Sequence, residues 1–169
     1  MNFVVIGTDH RAQPSDCGLD ALIAALLDRT HHEPLVAIAE EWDETKGQSI
    51  CQRLADERKL CWYNPDLTTE EKREAGILDE QIARRKLRGT FRVPSDEVRE
   101  AAWASKLSQP EPGTTFVICG YLHFDSLVRK LREKGNFVET RVYLPTVPEI
   151  KDLSSADLEM EIARASSMN

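Results

Sequence analysis

FVVIGTDHRA, residues 3–12, runs from an apolar, β-branched stretch through a glycine to a histidine three residues on, and FVICGYLHFD, residues 116–125, repeats the pattern. Short apolar runs closed by glycine read as buried strands of a parallel sheet. Eight glycines and four histidines in 169 residues give about 0.2 Gly-x-x-His matches by chance. Two matches, each directly behind a strand, therefore ask for a cause. One cause is structural: glycine eases the exit from a strand and the histidine caps the neighbouring helix. The other is a shared site.

Outward from these stretches, strand and helix alternate. Pro14-Ser15-Asp16 offers a turn and a helix N-cap, and Leu19, Leu22, Ile23, Leu26 and Leu27 follow at helical spacing. A second strand, 35–39, ends at Glu40-Glu41; a helix over 48–58 leads to a third strand, 60–63, halted by Asn64-Pro65-Asp66. Residues 64–113 read as a helical insert without a good strand, its last helix opened by Pro94 and Ser95. A fourth strand, 115–119, precedes a helix with a Leu127, Val128, Leu131 stripe, and 137–144 alternates like a fifth strand at an edge.

This pattern predicts an α/β fold: one domain over 1–145, a mostly parallel sheet of about five strands in the order 3-2-1-4-5, and helices on both faces. Residues 146–169 read as a polar C-terminal tail with room for one helix over 155–165. In that order strands one and four meet where the winding reverses, and ligands of such sheets bind beyond the carboxyl ends of the strands. His10, Glu40, Glu41 and His123 all fall at that end.

With 22 basic and 29 acidic residues the formal charge is −7, which favours solubility over a nucleic-acid-coating role. The start lacks the pattern of a secretory signal, and the longest apolar run, seven residues over 21–27, is far short of the ~20 that span a bilayer. A cytoplasmic protein with no membrane association is expected. Four cysteines without CxxC spacing suit reduced thiols. GxxxxGK[ST], GxGxxG and GxSxG are all missing, which disfavours nucleotide binding and a serine nucleophile.

Two imidazoles with one or two carboxylates form a mixed nitrogen/oxygen donor set that suits zinc, manganese, cobalt or iron(II). Glu40 and Glu41 cannot point the same way along a strand. Asp9 and Asp66 could orient an imidazole, or simply cap turns. Arg99 could stabilise an oxyanion, clamp a carboxylate or phosphate, or pair with Glu97 or Glu100. His31 and His32 read as solvated at a helix end, and Trp42, Trp62 and Trp103 as core or pocket walls. ARRKLRGTFR, residues 83–92, places Arg84, Arg85, Lys86, Arg88 and Arg92 together, a solvated helix face or a docking site for phosphate, nucleic acid or an acidic protein.

GTDH (7–10), AIAEEW (37–42), REAAWASKL (99–107) and VICGYLHF (117–124) stand in the order found in the Tiki/TraB/PrgY group, which the chain resembles together with its erythromycin-esterase and ChaN-like relatives. The resemblance implies a divalent-metal-dependent hydrolase of peptide, ester or similar bonds. It implies His10, Glu40 and His123 as metal ligands, with Glu40 turned inwards. Glu40, Glu41 and Arg99 are then the catalytic candidates. A non-catalytic alternative is a module that binds a ligand in the same crevice: haem, as the ChaN-like relatives imply, or a small anion. A third expectation is an interaction partner in a multi-protein system.

Overall fold

The structure is a computed structural model that describes residues 1–29, 31, 33–87, 90–108, 112–144 and 149–167. In chain order its elements are β1 (Asn2–Thr8), α1 (Cys17–Leu27), β2 (Leu35–Glu40), α2 (Ile50–Arg58), β3 (Cys61–Tyr63), α3 (Thr69–Glu74), α4 (Leu78–Arg84), β4 (Thr90–Arg92), α5 (Pro94–Leu107), β5 (Thr114–Gly120), α6 (Tyr121–Glu133), β6 (Phe137–Tyr143), β7 (Ile150–Asp152) and α7 (Ser155–Ser167). The helix starts follow local chemistry. The Asp16 carboxylate accepts the N–H groups of Gly18 and Leu19 ahead of α1, and Ser49 and Gln52 form a reciprocal capping box on α2.

Five strands pair in parallel in the order β3-β2-β5-β1-β6, so the α/β class and the parallel sheet are as expected. The strand order is not. In the order in which the strands were read, the sheet runs 3-2-4-1-5, with the two central strands exchanged relative to 3-2-1-4-5. Both segments are apolar and buried almost throughout, so nothing local says which lies nearer β2. The exchange leaves β1 and β5 adjacent, with Gly7 opposite Cys119 and Thr8 opposite Gly120. The two Gly-x-x-His segments thus leave the sheet side by side.

Strand alternation sorts the core into two layers. Val4, Ile6, Ile38, Phe116 and Ile118 face α1 and α2, where Leu19, Ile23 and Leu54 cover them. Phe3, Val5, Ala39, Val117 and Cys119 face α5 and α6, where Trp103, Leu107, Leu127 and Leu131 close the second layer. Truncating a fully buried side chain such as Leu19 to alanine costs ~2–5 kcal/mol.

The insert carries a strand that was not expected. β4 pairs in parallel with β7, and α7 rests on α4 with Leu158 buried. Three-residue strands are too short to show a period in sequence, and their partner lies about sixty residues away. Among the described residues, no helix is long and apolar enough to cross a membrane.

Candidate functional site

Each glycine of the repeated motif seats a ring from the other motif. A Cβ at Gly7 would stand 2.8 Å from two ring atoms of Phe124, and a Cβ at Gly120 would stand 2.4 Å from Nε2 of His10. A side chain at either place would have to displace the ring seated there, so glycine keeps both rings where they lie.

Glu41 lies at the centre. Its N–H donates to the Ile118 carbonyl at 2.9 Å, which carries the β2–β5 ladder one residue past β2. That sets the Glu41 side chain on the α5/α6 face. One oxygen accepts from Arg99 Nη2 at 2.7 Å, and the other accepts from the Gly120 N–H at 3.0 Å. His10 Nε2 stands 3.3 Å from Oε2 and His123 Nε2 3.5 Å from Oε1. Burial works to raise the Glu41 carboxyl, but the positive charge around it, from His10 first and from Arg99, outweighs it and holds it well below the usual carboxylate range.

The His10 ring is fixed at both nitrogens. Nδ1 lies 2.7 Å from Gln13 Oε1, while Gln13 Nε2 donates to the Glu41 carbonyl at 3.3 Å and so turns its oxygen towards the ring. Two acceptors, one of them ionised, favour an imidazolium. Burial opposes the charge, yet Glu41 and Gln13 raise the His10 pKa.

The His123 side chain, 1% exposed, sits behind this pair. Its Nδ1 lies 2.8 Å from Glu100 Oε1 and its Nε2 3.2 Å from Arg99 Nη1. Those partners assign the proton to Nδ1 and a lone pair to Nε2. Arg92 holds Glu100 bidentately, at 2.6 and 2.7 Å. Arg99 forks onto Asp66 at 3.0 and 2.9 Å, touches Asp96 at 3.4 Å and lies 5.0 Å above the Trp103 ring.

The expected ligand set is only partly assembled. His10, Glu41 and His123 converge; Glu40 does not join them. Glu40 is wholly buried on the opposite face, where its carboxylate accepts from Ser49 Oγ and from Trp62 Nε1, and burial pushes its pKa up. It shares parity with Ile38, whereas Glu41 shares parity with Ala39, so the inward turn assigned to Glu40 belongs to Glu41. As placed, the donors do not fit a divalent ion. The lone pair of His123 and one oxygen of Glu41 are both committed to Arg99, a permanent cation standing where a metal would have to bind. Among the described residues, no group of three or more His, Cys, Asp or Glu side chains is arranged to hold a metal.

His10 opens onto a cavity of about 650 Å³ beyond the carboxyl ends of β1 and β5, walled by the start of α6 and by Arg84, Arg85, Phe91 and Thr90 of the insert. Arg11 also lines it and neutralises Asp9 through bonds of 3.0 Å, so Asp9 orients no imidazole. Arg84 lies 3.6 Å from buried Asp96, whereas exposed Arg85 makes no salt bridge among the described residues. Lys86 is exposed outside the cavity lining, and Arg88 lies outside the described residues. Among the described residues no side chain caps α6, so its first-turn N–H groups face this end of the sheet without an intrahelical acceptor.

Two further expectations change. His31 is not merely solvated: Nε2 lies 2.9 Å from the Leu26 carbonyl and its ring meets Phe116 edge-on, while His32 lies outside the described residues. Arg99 forms no surface pair with Glu97 or Glu100, but is the buried anchor of Glu41 and Asp66. Sequence reading missed Gln13 and Asp96, and it named Glu100 only as a partner for Arg99 and not for His123; all three are buried and polar. Asp96, Arg99, Glu100 and Trp103 fall on the buried stripe of α5, and charges at core spacing on a helix were the available signal. Comparison with family models, curated proteins and solved structures finds no match to this chain.

Proposed function

We propose that this chain is a hydrolase of small anionic substrates, in which His10 exchanges protons with the scissile bond and Glu41 holds the ring in place. One observation carries the reading. Of the side chains gathered on Glu41, His10 alone opens widely, with 44% of its side chain exposed, and it faces the cavity.

An imidazolium is a general acid for a leaving group when one N–H reaches it, and here that is Nε2–H, whose contact with Glu41, 3.3 Å, is the longer of the two that hold the ring. Once it has given up its proton, it is a base for the attacking water. Glu41 is bound by Arg99 and by the Gly120 N–H, so it takes no proton itself and instead stabilises the charged ring. Arg84, Arg85 and the first-turn amides of α6 favour a substrate that carries negative charge, or a transition state that develops it.

The test is turnover of carboxylic esters, peptides and phosphate monoesters in chelator, then with manganese, cobalt, zinc or iron(II). The expected result is hydrolysis that survives chelation and falls by about 10²–10⁴-fold in His10→Ala. No turnover of any class under any of these conditions would overturn the reading. Activity that appears only with an added ion would restore the metal-dependent course implied by the family resemblance.

The acceptors at both nitrogens of His10 favour a second reading, a small-anion binder without turnover. Titration with a phosphate monoester separates the two, because a binder gives heat of binding and releases no product.

A further inference from the structure

β6 ends the sheet. β1 pairs with one side of it, and no strand among the described residues pairs with the other. The Phe137 N–H donates to the Met1 carbonyl at 3.1 Å, on the β1 side. In a parallel pair, one residue's N–H and C=O point the same way and its neighbour's point oppositely. Phe137, Glu139, Arg141 and Tyr143 therefore direct their backbone groups to β1, and Val138, Thr140 and Val142 direct theirs outwards. The outward carbonyls already draw substitute donors: Arg132 reaches Val138 O at 3.2 Å and Arg141 reaches Thr140 O at 2.7 Å.

The edge reads Phe-Val-Glu-Thr-Arg-Val-Tyr, residues 137–143, and is complementary to its own reversal. An antiparallel second copy centred on Thr140 sets threonine beside threonine, Val138 beside Val142, Glu139 beside Arg141 and Phe137 beside Tyr143. We propose that two copies of this chain join in this way, through β6, so that two five-stranded sheets become one.

Geometry selects this register. Outward residues meet outward residues, so Val138, Thr140 and Val142 form the hydrogen-bonded pairs. Glu139 and Arg141 occupy the closer, non-hydrogen-bonded positions, where opposite charges interact best. A slip of one residue would set outward groups against groups already used by β1. A slip of two would place Glu139 opposite Glu139, or Arg141 opposite Arg141. The pairing also covers Phe137 and Val142, which are 64% and 47% exposed in the single chain. In the dimer Arg141 leaves its own Glu139 and the Thr140 carbonyl for the second copy's Glu139.

Sedimentation equilibrium of the full chain over a range of concentrations tests this. A narrow interface of this kind predicts a reversible dimer that is populated at about 0.1 mM. Thr140→Pro removes only an outward N–H, so the β1 ladder stays intact while association weakens at least about tenfold. The charge variants are made in an Arg29→Gln background, because Arg29 also pairs with Glu139 at 2.6 Å. There, Arg141→Glu abolishes the dimer and Glu139→Arg with Arg141→Glu restores it. If the proline variant proves unfolded by circular dichroism, the charge pair decides alone. A chain that stays monomeric throughout overturns the proposal, as does a dimer unmoved by Arg141→Glu. Failure of the double exchange to restore association also overturns it.

Discussion

Gly120 and His10 share one space: a methyl group at position 120 would lie 2.4 Å from the imidazole Nε2. The glycine of the second motif is thus the seat of the first motif's histidine. The Gly7–Phe124 approach mirrors it across the β1–β5 pair.

Alanine at these two glycines should separate site from fold. At Gly120 the obstacle is the outer end of a side chain that can swing away. Gly120→Ala should therefore fold with little loss and displace His10, read as a moved His10 imidazole resonance. At Gly7 the obstacle is the buried Phe124 ring, and Gly7→Ala should cost ~1–3 kcal/mol in urea denaturation. Equal stability losses at the two sites would contradict this.

Arg99 holds two buried carboxylates at once, Glu41 at 2.7 Å and Asp66 at 2.9 Å. Arg99→Met should lower stability by ~3–5 kcal/mol, because both anions remain buried without their partner. Lysine should recover only part of that loss, since one ammonium cannot reproduce the fork onto Asp66. Denaturant midpoints of the two variants check the order.

Acid should unfold the chain through the same cluster. Burial works to raise the Asp66 carboxyl, but Arg99 and Lys72 outweigh it, so it titrates below its ordinary value, as Glu41 does. Groups with depressed folded pKa values contribute fully above their unfolded values, about 4, and lose that contribution as pH falls through the folded values. His10 is shifted upwards, so its contribution is complete below about pH 6.5 and is lost as pH rises through its folded value. Urea midpoints should therefore peak between the two limbs. Asp66→Asn should flatten the acid limb alone.

The thiols should divide by burial. Cys51 and Cys119 are buried, and burial pushes both thiols well above the ordinary range, whereas Cys17 and Cys61 are exposed. A thiol reagent should modify two cysteines rapidly in the native chain and all four in urea. Fast reaction of four would mean that the layers open readily.

Much of this architecture was legible in the residues alone. Apolar runs closed by glycine marked β1 and β5, the period of Leu19 to Leu27 marked α1, and alternation marked β6 as an edge. These signals are local: each depends on backbone geometry and burial within one element. The convergence of His10 and His123 followed from a general property of parallel sheets, that loops after adjacent strands share one end.

Three things depended on the tertiary structure. The order of β1 and β5 was one, because two equally apolar strands compete for the same central place. The choice between Glu40 and Glu41 was another: alternation says that they diverge, but only the packing of α5 and α6 says which face holds the histidines. The last was the company kept by Arg99, whose partners Asp66 and Glu41 lie 33 and 58 residues away in the chain. Local sequence determines which segments become strands and helices and which side chains share a face. Long-range burial decides which faces meet, and so which charges must neutralise one another.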